Sequence, residues 1–288
     1  MTALPFIRCF VTALVALLAS TGAIAADPAA SPLPRNCAAP SPLSAIEAAQ
    51  DRTASRILSG QPLTIVAVGS SSTVGVGASD PILNYPSRLQ QELRERLPGI
   101  GIRVINHGVS GQDVPEELAR LGRDVIAESP DLVIWQVGTN AVLRRDDLVS
   151  DELLITRGVA SMKEKGIDVV LMDLQYAPRV LARPASAEME RLIAEVSKRM
   201  QVGLFRRFEI MREWERTQQL APASAIGADG LHMTDASYVC LAHELAEALT
   251  SNWRSLEKLA KSSRRSPDAI AGIGSSAAAQ PVIPLQPH

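Results

Sequence analysis

The chain has 288 residues, 46% of them hydrophobic, with 29 Lys and Arg against 31 Asp and Glu. That length suits one large α/β domain or two small ones, and that apolar content excludes disorder throughout. A net charge of −2, with basic runs no longer than pairs such as Arg144-Arg145, gives no electrostatic footprint for nucleic acid.

The first 25 residues read as a secretory signal. Arg8 supplies the positive n-region, Phe10 to Ala19 the apolar h-region, and Ala23-Ile24-Ala25 the small-x-small cleavage site. The apolar run is too short for a comfortable transmembrane helix. Export, to a bacterial periplasm, is expected, with no stable membrane span after cleavage. Residues 26–42 are rich in Pro, Ala and Ser and are expected to form a flexible lead-in. Cys9 leaves with the signal, so Cys37 and Cys240 remain. In an oxidising compartment they form one disulfide, or stay as one buried and one loose thiol. Both outcomes are open, because sequence does not give the Cα separation. No Cys or His residues are paired at ligand spacing, so no metal or other cofactor is expected.

The pattern then alternates helix and strand. Ser44-Ala45-Ile46-Glu47 is a capping-box pattern that predicts a first helix to about Leu58. Leu63 to Val68 is a short continuous apolar run, as a buried parallel strand requires. Tyr85 to Leu97 reads as helix and stops at Pro98-Gly99. Ile102–Ile105 is a second strand, and Pro115 to Glu128 a helix with Pro in its first turn. Leu132 to Val137 is a third strand. A helix near 147–165 and the strand Asp168 to Met172 follow. Met189, Leu192, Ile193, Val196 and Met200 fall at i, i+3, i+4, i+7 and i+11 and mark an amphipathic helix. A short fifth strand is expected near 202–206, and a last helix from about Asp235 to Thr250. One domain over about 43–260 is the simplest organisation, followed by a disordered tail at 261–288.

Five β-α steps imply a mostly parallel sheet with helices on both faces. Ligands bind outside the carboxyl ends of such strands. Ser71, Gly108 and Asn140 each sit just past one of the first three strands, so the fold brings them to one rim.

A serine is a poor nucleophile unless a base takes its proton. The base is a histidine oriented by a carboxylate or carbonyl. Four histidines are candidates: His107, His232, His243 and the terminal His288. His243 lies inside the last predicted helix, and His107 has no acid nearby in sequence. His232 follows Asp229 by three residues in a Gly-containing turn, so a carboxylate and an imidazole reach the same rim. Chemistry alone leaves Ser70, Ser71, Ser72 and Ser110 eligible as nucleophile. No Gly-x-Ser-x-Gly elbow and no phosphate-binding glycine motif occurs.

Four segments, in order, resemble the blocks of the SGNH hydrolases, also called the GDSL family of esterases and lipases. They are Gly69-Ser70-Ser71, the glycine block at Gly108, Gly138-Thr139-Asn140, and Asp229-Gly230-Leu231-His232. The resemblance runs from about Leu63 to Leu249. It implies a three-layer α/β/α fold on a flavodoxin-like five-stranded parallel sheet. It assigns Ser71 as nucleophile, His232 as base and Asp229 as its orienter, with Ser71, Gly108 and Asn140 as the oxyanion hole. Two departures stand out: the family usually has Asp where this chain has Ser70, and Asp where it has Ala141. The expected substrate is a small acyl ester, an acetylated saccharide or a lysolipid. A saccharide O-acyltransferase on the same residues and a non-catalytic envelope-binding module are the alternatives. Tyr85, Gln136 and Tyr176 lie near strand ends and are candidates to line the substrate.

Overall fold

The computed structural model describes residues 37–144 and 148–265. The expected signal segment, the lead-in up to residue 36 and the expected tail beyond 265 lie outside the described residues. In chain order the elements are α1 (Ser41–Ser44), α2 (Asp51–Leu58), β1 (Leu63–Gly69), α3 (Ser71–Val74), α4 (Tyr85–Arg96), β2 (Ile102–Gly108) and α5 (Val114–Asp124). There follow β3 (Leu132–Gln136), α6 (Thr139–Arg144), α7 (Leu148–Lys163), β4 (Asp168–Met172), α8 (Pro178–Leu181) and α9 (Ser186–Met200). The chain continues through β5 (Gly203–Phe205), α10 (Arg207–Arg216), α11 (Pro222–Ala225) and α12 (Asp235–Arg265).

The strands pair in parallel in the order β2-β1-β3-β4-β5. This is the flavodoxin-like order, whose switch point lies between β1 and β3. β1 runs left to β2 while all later crossovers run right. Right-handed connections therefore send α4 to one face and α5, α7 and α9 to the other. α4 packs with α12, and α5, α7 and α9 pack in a row, giving three layers. The apolar runs are continuous because both sheet faces are covered: Ile65, Val66, Val68, Leu132, Val133, Ile134, Leu171 and Met172 are fully buried.

The expected helix from Ser44 to Leu58 is instead two pieces, α1 and α2, joined by non-helical chain. Ser44 caps nothing. Asn252 Nδ2 donates to Ile46 O and Ala48 O, at 2.7 and 3.0 Å, so those carbonyls are bonded to α12. The first turn of α2 is capped from outside the segment. Thr53 N and Oγ1 both donate to Asp168 Oδ2, at 2.8 and 2.7 Å. The helix α10 has no counterpart in the predicted elements, and α12 runs past the expected end near Thr250.

Cys37 and Cys240 are joined in a disulfide, with Cα atoms 5.2 Å apart. Trp214 Nε1 donates to Cys37 O at 2.9 Å, and Ala39 N donates to Glu244 Oε1 at 3.0 Å. The described end of the lead-in is thus docked on the domain rather than free. Among the described residues no helix is long and apolar enough to cross a membrane.

One buried acid shapes the layer between α5 and the sheet. Trp135 Nε1 donates to Glu117 Oε2 at 2.8 Å. Burial pushes the Glu117 carboxyl up to about 8 from 4.5, against the pull of that bond and of Arg120.

Two outcomes are expected. The disulfide closes a separation of 203 residues, for which the chain-entropy model gives roughly 5 kcal/mol. Reduction with dithiothreitol should therefore lower Tm markedly, and an unchanged Tm would exclude that contribution. Glu117, with its folded pKa raised, keeps its proton in the native state between about pH 4.5 and 8. Stability contributed by this group is present below the unfolded pKa and is lost as pH rises through the folded one. Glu117→Gln should flatten the fall in urea midpoint between pH 5 and pH 8, and a slope equal to that of the parent chain would refute the linkage.

Candidate active site

The sharp turn from β1 into α3 presents Ser71. It is the first residue of α3 and is half-buried. Its shape is set from below by Gln136, the last residue of β3. The Gln136 amide oxygen gathers Ser70 N, Ser70 Oγ, Ser72 Oγ and Thr73 Oγ1, at 3.0, 3.1, 3.2 and 3.3 Å.

The base arrives on the loop before α12. His232 Nε2 lies 2.9 Å from Ser71 Oγ, and its Nδ1 is hydrogen-bonded to Asp229 Oδ2. Asp229 Oδ1 accepts from Leu231 N and His232 N, both at 3.0 Å, which folds the Asp-Gly-Leu-His segment into a tight turn. Partial burial pushes the Asp229 carboxyl up. The hydrogen bonds from Leu231 N, the His232 ring and His232 N outweigh it and hold the group down at about 2. The nucleophile and base loops are tied together directly. Tyr238 OH donates to Val76 O at 2.8 Å, and Ser79 N and Oγ donate to the Asp235 carboxylate at 2.8 and 2.5 Å. Gly77, at φ 94°, makes this approach possible, since a Cβ there would lie 2.3 Å from Met233 O.

The three expected oxyanion donors fare differently. Ser71 N–H has no acceptor among the described residues. Asn140 Nδ2 donates to Gln112 O at 2.6 Å, which leaves its second amide hydrogen for a ligand. Gly108 N–H is taken, donating to Asn106 Oδ1 at 2.9 Å, while Asn106 Nδ2 donates to Thr73 O at 2.7 Å. Gly108 is therefore corrected from donor to packing residue. A Cβ there would sit 2.3 Å from Val74 N, so glycine lets the end of β2 abut α3. The next glycine, Gly111, is exposed at φ 79°, and its N–H has no acceptor among the described residues. It adjoins Gln112, whose carbonyl holds Asn140. The segment Gly108-Val109-Ser110-Gly111 offers two glycines, and the path of the backbone separates their roles.

The lining candidates are also revised. Gln136 and Tyr85 are buried, at 2% and 0% exposure, so neither faces a ligand. Tyr85 OH lies 3.4 Å from Thr73 Oγ1 beneath the turn. Tyr176 is half-buried and packs edge-on against Phe208, ring centroids 5.1 Å apart. His107 lies on β2 with Nε2 3.6 Å from Glu128 Oε1, and His243 lies on α12 against Glu92. Ser70 and Ser72 point to Gln136. A groove of about 910 Å³ lined by Asp51, Lys163, Asp168 and Lys198 lies at the amino ends of β4 and β5, the opposite end of the sheet from the triad. No group of His, Cys, Asp and Glu among the described residues could hold a metal ion.

Two residues beneath the site are absent from the sequence reading. Arg207, at the start of α10, is fully buried. It donates from Nη1 to Ser72 Oγ at 3.0 Å, and from Nη2 to Asp173 O at 2.5 Å and Gln175 Oε1 at 2.9 Å. Burial lowers its pKa to about 10, so it remains a cation at neutral pH. Burial likewise raises the Asp173 carboxyl to about 7. Both follow carboxyl ends of strands, β5 and β4, which was the available signal.

Comparison with known proteins gives the fold and the family. The curated relatives include an acetylxylan esterase of Geobacillus stearothermophilus, 39% identical over 80 residues, 28% of this chain and 33% of the relative. An arylesterase of Vibrio mimicus is 30% identical over 95 residues, 33% of this chain and 46% of the relative. The chain thus matches less than half the length of either. Among solved structures, a two-domain esterase active on acetylated mannans superposes with a TM-score of 0.60 at 18% identity, covering 73% of this chain and 56% of that one. TesA superposes with a TM-score of 0.56 at 24% identity, covering 66% and 99%. These likenesses establish the fold. The profile of the Non-GDSL lipase-like family matches residues 36–255, and a serine turn that carries Ser70 in place of the usual aspartate accords with that description: the chain belongs to the Non-GDSL lipase-like family, within the SGNH hydrolases.

Proposed function

We propose that the protein is an exported serine esterase that removes small acyl groups, acetyl above all, from an esterified saccharide. The observation that carries this reading is the relay Ser71 Oγ to His232 Nε2, 2.9 Å, with Asp229 on Nδ1. His232 takes the Ser71 proton as Oγ attacks the ester carbonyl, and returns it to the departing alcohol. Water then repeats the sequence on the acyl-enzyme. Asp229 stays ionised throughout the working pH range because its pKa is held near 2. It fixes the tautomer with the proton on Nδ1, leaving Nε2 as the acceptor. Ser71 N–H, Gly111 N–H and the free Asn140 amide hydrogen form the oxyanion hole. Gly111 takes the place expected of Gly108 because its N–H is open.

The acetyl preference is supported by the relatives, an acetylxylan esterase among the sequences and an acetylated-mannan esterase among the structures. Export is supported by the Arg8 to Ala25 signal pattern and by a disulfide, which persists in oxidising compartments.

Ser71→Ala should abolish turnover of 4-nitrophenyl acetate with the fold intact. Asn140→Ala should lower kcat by roughly 10²–10³-fold with little change in KM, the usual effect of losing one oxyanion donor. An unchanged kcat in either variant contradicts the assignment. Acetate release from acetylated xylan or mannan oligosaccharides should exceed release of octanoate from the matching ester, and the reverse order would favour a lysolipid substrate. For export, N-terminal sequencing of the periplasmic protein should begin at Ala26. An uncleaved cytoplasmic chain would overturn that part of the reading.

A further inference from the structure

We propose that Arg207 and Gln175 form a buried positioning pair that fixes the three catalytic loops in register, and so sets the rate of acyl transfer to Ser71. The geometry has one recurring feature: three contacts of the pair each fall one residue from a catalytic residue. Arg207 Nη1 donates to Ser72 Oγ at 3.0 Å, beside Ser71. Gln175 Oε1 accepts from Thr139 Oγ1 at 2.9 Å, beside Asn140. Gln175 Nε2 donates to Leu231 O at 3.5 Å, beside His232. The two side chains are joined by Arg207 Nη2 to Gln175 Oε1, 2.9 Å, and Nη2 is anchored on Asp173 O at the end of β4. A planar guanidinium with fixed donors suits this task, because it holds several acceptors in one geometry.

The cost of the arrangement argues that it is retained for function. Arg207 is fully buried, its Nε–H finds no acceptor among the described residues, and the Asp173 carboxyl that acts on it as counter-charge is itself buried and makes no direct ion pair with it. A buried cation so placed is a poor stability device, since apolar side chains of similar volume serve as well or better. The registration it gives matters to chemistry instead. The Ser71–His232 contact and the Asn140 amide come from three different loops, and a displacement of about 1 Å between them costs on the order of 10²-fold in rate.

The role rests on the esterase reading above and is tested on the full mature chain with 4-nitrophenyl acetate and a fluorophosphonate that labels reactive serines. Gln175→Met keeps the volume and removes the bonds to Thr139, Leu231 and Arg207. Arg207→Lys keeps the charge and loses the fork. Each should lower kcat by roughly 10- to 100-fold, move KM by less than about threefold and slow fluorophosphonate labelling in parallel. The double variant should be no slower than the slower single, because the two residues act as one unit. If Arg207→Lys fails to fold, Gln175→Met carries the test alone. Variants with lowered Tm but parental kcat per labelled serine would overturn the proposal and leave the pair a packing feature. So would additive losses in the double variant. A parent chain that neither turns over ester nor takes the label removes the esterase reading and this role with it; an active parent with active variants removes only the role.

Discussion

The turn that carries Ser71 hangs from the Gln136 amide oxygen. It sits at the carboxyl end of β3, one strand from β1, and faces the turn that carries the nucleophile. Four donors from Ser70, Ser72 and Thr73 converge on it. With the neighbouring hydroxyls turned inward, Ser71 is left facing His232. A turn of four residues has almost no helical stability of its own. Its conformation is bought by tertiary contacts, and Gln136 supplies them from a strand that the sheet holds rigid. The site is therefore as precise as the pairing of β1 with β3, which fixes Val68 opposite Trp135, next to Gln136.

The second support comes from the other loops. Arg207 reaches the same turn from α10, through Ser72, so the turn is held by the sheet on one side and by the cation on the other. The loop after α3 then docks on the start of α12 through Tyr238 and Ser79. The disulfide fixes α12 again at Cys240, five residues past Asp235. The loops bearing Ser71 and His232 thus come from distant parts of the chain but share these anchors. Those anchors hold residues 71 and 232, 161 positions apart in the chain, at a 2.9 Å contact.

The strands and the parallel architecture are legible in the sequence because each is a local signal, whereas Ser71 is singled out from its neighbouring serines only by the resemblance to the family blocks. Continuous apolar runs mark strands buried on two faces, and Ser71 and Asn140 follow them directly. Asp229 and His232 are close enough in sequence to be read as one turn. What the sequence did not show depends on contacts between distant residues. Ser44 and Glu47 form a capping pattern, but Asn252 binds the carbonyls that a helix would have used, and Asp168 caps α2 instead. Gly108 and Gly111 look alike in sequence; only Asn106 and the approach of Val74 distinguish them. Gln136 and Tyr85 lie near strand ends, as lining residues do, yet their side chains turn inward. Arg207 follows a strand of three residues, too short to give a clear pattern, so the helix that carries it was not visible.

The two departures from the common family pattern belong to one arrangement. An aspartate at position 70 would bring a carboxylate against Gln136 Oε1, which Ser70 now approaches as a donor from both N and Oγ, at 3.0 and 3.1 Å. A carboxylate there would bond the Gln136 amide only if the amide turned over to present its Nε2, so the hydroxyl at 70 suits the orientation in which Gln136 Oε1 faces the turn. Position 141 is fully buried and filled by Ala141, where a carboxylate would need a partner to offset its desolvation. With no acid at either position, the Arg207 guanidinium lies against Ser72, with the buried Asp173 carboxyl acting on it as counter-charge. The usual acidic surroundings of the serine are thus exchanged for a neutral acceptor and a buried cation. The serine turn carries no carboxylate of its own, while the carboxylate bonded to His232 is Asp229, so the charge that orients the imidazole sits on its own loop and the turn bearing Ser71 stays neutral.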